Sequence, residues 1–289
     1  MAKRKLGMSL IVLIVAATTL VSGTYAWFLV GGFAELFDLG FDVVQASGGI
    51  EIQGSAGTAH MNEDTKSDTN WGSYLARDDF NANEILAADG KYAPVSSSAP
   101  GANTFFKTTF DGKYFQPDDP TATVGQHYNL LDMKIRATGE EAGKATMTIK
   151  MTAKDAANTS ALASARVGVV YNGTTSIYGV AQSGLYALTS NPQPNTVEEL
   201  GTPDSIIDTT EAGSGVSLAP VTLAEMTGDD TSGYTGQFTI ENIPNDTNGA
   251  PISVYIWIEG NDPECTGERI TPGSGLSVKI EFTGATVEG

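Results

Sequence analysis

The sequence predicts a mainly β protein: an antiparallel, jelly-roll-like β-sandwich with long loop insertions, preceded by an N-terminal hydrophobic helix. Three observations carry that expectation. Past residue 48 the apolar residues recur with a period of two, as in strands that bury one face. Beyond residue 50 there is almost no long pattern of helical period. Composition agrees, because 33 Gly among 289 residues and a charged fraction of only 17% suit turn-rich sheets with polar rather than ionic surfaces. A hydrophobic content of 40% is enough for a real core.

Taken in chain order, the first element is a leader. Lys3, Arg4 and Lys5 precede 29 residues without a charge, Leu6 to Ala34. Within that stretch Met8 to Val21 has the length of the apolar region of an export signal, and Ser22-Gly23-Thr24 then leads to Tyr25-Ala26, so cleavage is expected after Ala26. Two other outcomes stay open. The apolar run continues through Leu29 and Val30, long enough for an uncleaved membrane anchor. Lys3 to Gly7 also resembles a prepilin leader cut after Gly7, with the helix kept in a filament core, although Val12 stands where bacterial type IV pilins usually carry Glu. Residues 27–53 then form an expected assembly segment. In it Phe33, Leu36, Phe37, Phe41 and Val44 recur at intervals of three and four with Glu35, Asp38 and Asp42 between them, which predicts an amphipathic helix weakened by Gly31, Gly32 and Gly40. That helix would pack on its own domain or dock into another subunit, and periodicity does not separate the two.

The strands follow within a β domain over 54–289. Gly49 to Gln53 alternates, Leu131 to Ala137 sets Leu131, Met133 and Ile135 on one face, and Ala145 to Met151 alternates again after a turn at 139–143. The last two runs predict a hairpin. Further strands are expected at 165–171, 176–180, 184–188, 216–223, 235–240, 252–259 and 276–282, with a crossover helix at 153–163. Residues 54–104 and 189–215, rich in small and polar residues, read as loop insertions.

The residues beyond Ala26 hold 13 basic against 34 acidic side chains, a formal −21. Such a body lacks the clustered cations that nucleic acid or an anionic membrane surface requires, so membrane contact is expected only through the N-terminal helix. Cys265 is the only cysteine, which excludes an intrachain disulfide and a thiolate zinc cluster, and Asp262 and Glu264 beside it disfavour a thiolate nucleophile. His60 and His127 stand far apart with no H-E-x-x-H, and both read as loop residues. No catalytic constellation is present, so the expectation is a non-enzyme without a cofactor. Weak calcium candidates are the acidic loops with Asp118, Asp119, Asp229, Asp230, Asp262 and Glu264, none of which matches an EF-hand pattern. Trp71, Tyr74, Tyr92 and Tyr114 could serve as stacking platforms if the chain were a surface glycan-binding module.

Two segments carry a family likeness. Gly23-Thr24-Tyr25-Ala26-Trp27-Phe28 at the leader boundary, combined with Ile256-Trp257-Ile258-Glu259-Gly260-Asn261-Asp262 and Cys265 near the C-terminus, resembles secreted Gram-positive surface proteins of the TasA/camelysin type. The likeness covers the leader and the strands from about 131 to 283; the two insertions have no counterpart. It implies a jelly roll cut by a dedicated signal peptidase and exported to the cell surface. There it would polymerise into biofilm-matrix fibres, the mature N-terminal segment of one subunit pairing as a donor strand with the next. Because 33–44 reads as helical, Gly48 to Gln53 is the better donated strand here, burying Ile50 and Ile52 in the neighbour. Camelysin is described as a metallopeptidase, but a zinc site needs three or four properly spaced ligands, which His60 and His127 with Glu or Asp would supply only by a coincidence of folding. A homopolymer of −21 subunits has to rely on short-range strand pairing and apolar docking rather than on charge.

Overall fold

The computed structural model describes residues 36–37, 39–61, 70–85, 91–92, 94–102, 104–110, 115–119, 122–139, 143–153, 162, 164–180, 187–188, 197–198, 223–224, 226–229, 231–260 and 275–285. The expected leader, Phe33, the cleavage site at Ala26 and nearly all of the expected 153–163 helix lie outside these residues.

In chain order the strands begin with β1 (Leu36–Phe37), β2 (Leu39–Ser47), β3 (Ile50–Gly54), β4 (Tyr74–Leu75), β5 (Lys91–Tyr92) and β6 (Val95–Ala99). They continue with β7 (Thr104–Phe110), β8 (Phe115–Asp119), β9 (Asn129–Ala137), β10 (Gly143–Ala153), β11 (Ala165–Tyr171) and β12 (Thr174–Gly179). The last are β13 (Ala187–Leu188), β14 (Val197–Glu198), β15 (Thr227–Asp229), β16 (Gly233–Ile243), β17 (Ala250–Ile258) and β18 (Leu276–Gly284). The helical positions among the described residues are Leu162 and Ser164 and two 3-10 turns, Arg77–Asp79 and Pro100–Ala102. The protein is therefore mainly β.

Two sheets make the body. A six-stranded sheet runs β15-β16-β10-β18-β2-β4 and a five-stranded sheet runs β12-β11-β17-β9-β3. The five-stranded sheet is antiparallel throughout, whereas the six-stranded one is mixed because β2 runs parallel to β18. Their facing sides share one apolar cluster. Met147, Ile149 and Met151 of β10 and Val278, Ile280 and Phe282 of β18 meet Leu131, Met133 and Ile135 of β9 and Ile252, Val254 and Ile256 of β17. Each such side chain contributes about 1.5–3 kcal/mol by leaving water.

The expected hairpin of 131–137 with 145–151 does not form. β9 pairs with β17 and β3, while β10 pairs with β16 and β18 in the other sheet. The alternation of the two runs is real, with Leu131, Met133, Ile135, Ala145, Met147 and Ile149 all buried. Alternation reports that a strand has one buried face; it does not say whether its sequence neighbour lies beside it or across the core.

Within the expected amphipathic helix over 33–44, the described residues 36–37 and 39–44 are strand instead. Residues 39–47 form β2, and the three-residue spacing that suggests a helix arises from a β-bulge. Phe41 pairs with Val278 and Val44 with Ile280, so three residues on β2 span two on β18. After the bulge the period of two resumes, with Val44 and Ala46 buried and Ser47 exposed.

β2 and β3 belong to different sheets and are joined only by Gly48 and Gly49, whose φ values are 67° and 78°. A Cβ on Gly48 would lie 2.6 Å from the carbonyl oxygen of Gly284, so backbone packs on backbone there.

The 54–104 insertion is only partly a loop layer. It contains β4, β5 and β6, and β6 joins β7 and β8 in a three-stranded sheet. Val95 of β6 and Phe105 of β7 pack with Tyr255 and Trp257 of β17, the residues that alternate with its core-facing ones. At the C-terminal half of β17 the five-stranded sheet is thus covered on both faces.

Candidate functional site

Of the expected assembly residues, Leu36 and Phe37 pair with Tyr92 and Lys91 in a small separate ladder. Phe41 and Val44 lie in β2, with Val44 fully buried between Ile280 of β18 and Leu75 of β4 in the register. Ile50 and Ile52 lie in β3, both buried, paired with Ala137 and Ile135 of the same chain. The two longer strands of the N-terminal segment, β2 and β3, are therefore accommodated within their own chain. They occupy different slots: β3 is an edge strand, whereas β2 sits inside its sheet against the C-terminal strand. On its other side, among the described residues, β2 pairs with the two-residue β4 through Val44 and Gln45, together with a hydrogen bond from Ala46 N–H to the Ser73 carbonyl. A groove of about 350 Å³ opens at this place, lined among others by Ala46, Ser73, Tyr74, Glu281 and Phe282.

The calcium candidates fare unevenly. Asp118 and Asp119 end β8, and Asp230, Asp262, Glu264 and Cys265 lie outside the described residues. The Asp229 carboxylate is engaged by its own turn, accepting from the Ser232 N–H at 2.7 Å, the Thr231 N–H at 2.9 Å and the Ser232 hydroxyl. These bonds, that of Ser232 foremost, hold its pKa below the ordinary value. This is the turn chemistry of an Asp rather than a cation loop.

Among the stacking candidates, Tyr92 is in β5 and Tyr114 lies outside the described residues. The Trp71 ring carries the Arg136 guanidinium 4.4 Å from its centroid, and Tyr74 meets the His60 ring edge-on at 5.8 Å.

The two histidines turn out to be unlike each other. His127 sits in a turn, its Nδ1 3.0 Å from the Thr123 amide nitrogen. His60, read from the sequence as a loop residue, is buried, and its Nε2 lies 3.0 Å from Oδ2 of Asp79 and 3.5 Å from Oδ1 of Asp78. Asp79 is fully buried, its Oδ1 accepting from the Thr58 hydroxyl at 2.6 Å and its Oδ2 from the Ala76 N–H at 2.9 Å. Asp78 is 72% exposed at its side chain. Among the described residues this is the group of His, Cys, Asp and Glu able to hold a metal ion, its three ligand atoms lying within 4.8 Å of one another. The sequence carries no signal for it, because His60 and Asp78 are 18 positions apart and the adjacency comes from the backbone bridge of His60 to Tyr74, just ahead of the 3-10 turn.

Scans of the chain against protein-family models, curated proteins and solved structures found no match to any of them.

Proposed function

We propose that the chain is an exported, non-enzymatic structural subunit that polymerises head to tail into an extracellular surface or matrix filament, its leader cut after Ala26 by signal peptidase. The finer fold reading that accompanies this is a jelly roll, and the family reading is the TasA/camelysin likeness of the leader boundary and the 256–265 segment. One observation carries the proposal. β2, the first long strand, lies parallel to the C-terminal strand β18 in a sheet whose other pairings are antiparallel, and a Gly48–Gly49 link joins it to the opposite sheet.

A strand held by main-chain pairing and a glycine link can be supplied by a neighbouring copy with the same contacts, which is the logic of domain swapping. In that exchange Val44 and Ala46 of the donor bury against Ile280 and Phe282 of the acceptor, at the partners they have in the single chain. Handed from copy to copy, the exchange never closes and builds a filament. β2 is a better donor than β3 on this reading, because it fills an interior slot whose vacancy would leave β18 as a bare edge.

A cross-linking experiment tests it. Gln45 and Glu281 are register partners, so cysteines at both positions, in a Cys265→Ser background, report which chain supplies β2. Assembled material should give a ladder of oxidised multimers on a non-reducing gel and filaments by electron microscopy. A product confined to internally bridged monomer, with no filaments at high protein concentration, would overturn the proposal.

A further inference from the structure

We propose that His60, Asp78 and Asp79 bind a divalent transition-metal cation of the Zn²⁺ type, which acts as a staple on the segment that closes the outer side of β2. The site stands apart from strand exchange and holds whether or not the chain polymerises.

The donor set selects the ion. One imidazole nitrogen with two carboxylates suits borderline cations such as Zn²⁺, Co²⁺ or Mn²⁺, whereas Ca²⁺ and Mg²⁺ prefer oxygen alone. Two carboxylates and a neutral imidazole carry −2, which a divalent ion cancels. Geometry agrees as well. Ligands about 2.0–2.2 Å from a metal stand roughly 3.0 Å apart in an octahedral site and roughly 3.5 Å apart in a tetrahedral one. His60 Nε2 lies 3.0 Å from the Asp79 oxygen and 3.5 Å from the Asp78 oxygen.

The ligands are also held in place beforehand. Thr58 and the Ala76 N–H fix the Asp79 carboxylate, and the Asp79 carbonyl takes the Ala56 N–H at 3.0 Å. His60 is paired through its main chain to Tyr74 and packed against that ring. Such outer contacts orient ligands and commonly change affinity 10- to 100-fold. Asp78, being exposed, is the side from which an ion arrives and where water completes its coordination. A bound ion would tie the 3-10 turn Arg77–Asp79 to the His60 bridge and so to β4, the strand that flanks Val44 and Gln45.

The test uses the purified full chain, stripped with chelator and titrated with Co²⁺ while the visible spectrum is followed, then with Zn²⁺ while thermal unfolding is followed. The expected result is a spectrum that saturates near one equivalent of Co²⁺, is displaced by Zn²⁺, and accompanies a rise in melting temperature that equal Ca²⁺ or Mg²⁺ does not give. His60→Gln and Asp78→Asn should each weaken binding at least about tenfold. Asp78 is exposed, so its variant folds and decides the matter even if His60→Gln does not fold. Absence of saturable binding overturns the proposal, leaving the three side chains a polar contact without a metal. So does equal stabilisation by Ca²⁺, or binding that survives Asp78→Asn, either of which points to the general acidity of the surface.

Discussion

The two sheets share a core and differ in what lies behind them. Along β10 of the six-stranded sheet, Ala145, Met147, Ile149 and Met151 are buried while Lys144 and Lys150 are exposed and Thr146 and Thr148 half-buried. Along β17 of the five-stranded sheet, every residue from Val254 to Ile258 is buried. Its inward positions are aliphatic, and its outward ones are Tyr255 and Trp257, packed with Phe105 and Tyr128 under the β6–β7–β8 layer. The outward set also has polar anchors: the Trp257 indole N–H donates to the buried carboxylate of Glu259 at 3.0 Å. Aromatic residues with a polar edge suit a face covered by a late, partly polar layer, whereas aliphatic side chains suit a core sealed by two sheets. The sheet with an exposed outer face is also the one that holds β2.

The largest expected effect tests whether the covering layer belongs to the cooperative core. Trp257→Ala removes a fully buried ring and should cost about 3–5 kcal/mol in urea unfolding. Thr148→Ala, outward on the open sheet, should stay within about 0.5 kcal/mol. Equal costs would mean that the two outer faces are not different after all.

The next test falls on the chain's passage between the sheets. Gly48→Ala meets both an unfavourable φ and the Gly284 carbonyl oxygen at 2.6 Å, which is backbone and has little freedom to shift. It should cost about 2–4 kcal/mol. Gly49→Ala meets nothing closer than the Thr138 hydroxyl at 3.4 Å, so about 1 kcal/mol for the backbone alone is expected. Similar values for the two variants would show that the β2–β3 crossing relaxes freely and does not fix β2 in its slot.

Much of this architecture was legible in the alternating residues, and its failures have identifiable causes. The strand at 165–171 agrees at both ends with β11, and 252–259 and 276–282 fall within a residue or two of β17 and β18, because their apolar residues reach the core without interruption. Partners were not legible, since β9 and β10 carry the same alternation whether they pair or face each other across the core. The β2 bulge converted a strand into an apparent helix by placing Phe41 and Val44 three apart. The unbroken apolar run Val254 to Ile258 reads only as a strand, and nothing in residues 91–110 announced that they cover its outward side. The His60 cluster was invisible for a different reason, because it depends on a bridge and a turn that bring residues 18 positions apart into contact.

The smallest expected effect is a pH dependence centred on Tyr255 of the covered face. Burial pushes the Tyr255 hydroxyl from 10.0 up to about 12, with Tyr128 and Asp132 adding to the shift, and burial raises its neighbour Tyr128 in the same direction. Below pH 10 the Tyr255 hydroxyl is neutral in both the folded and the unfolded chain, so its contribution is fully present. Between pH 10 and 12 the unfolded chain loses this proton while the folded chain keeps it, so stability falls as pH rises through that window. Two units correspond to about 2.7 kcal/mol at full effect, and the partial solvation of the hydroxyl reduces this to about 1–2 kcal/mol. Tyr255→Phe keeps the ring against Phe105 and removes the titrating group, so urea midpoints at pH 9 and pH 11.5 should lie closer together in the variant than in the parent. If the loss between these pH values is unchanged in the variant, the alkaline sensitivity belongs to other groups, and the outward face of the five-stranded sheet is wetter than its packing indicates.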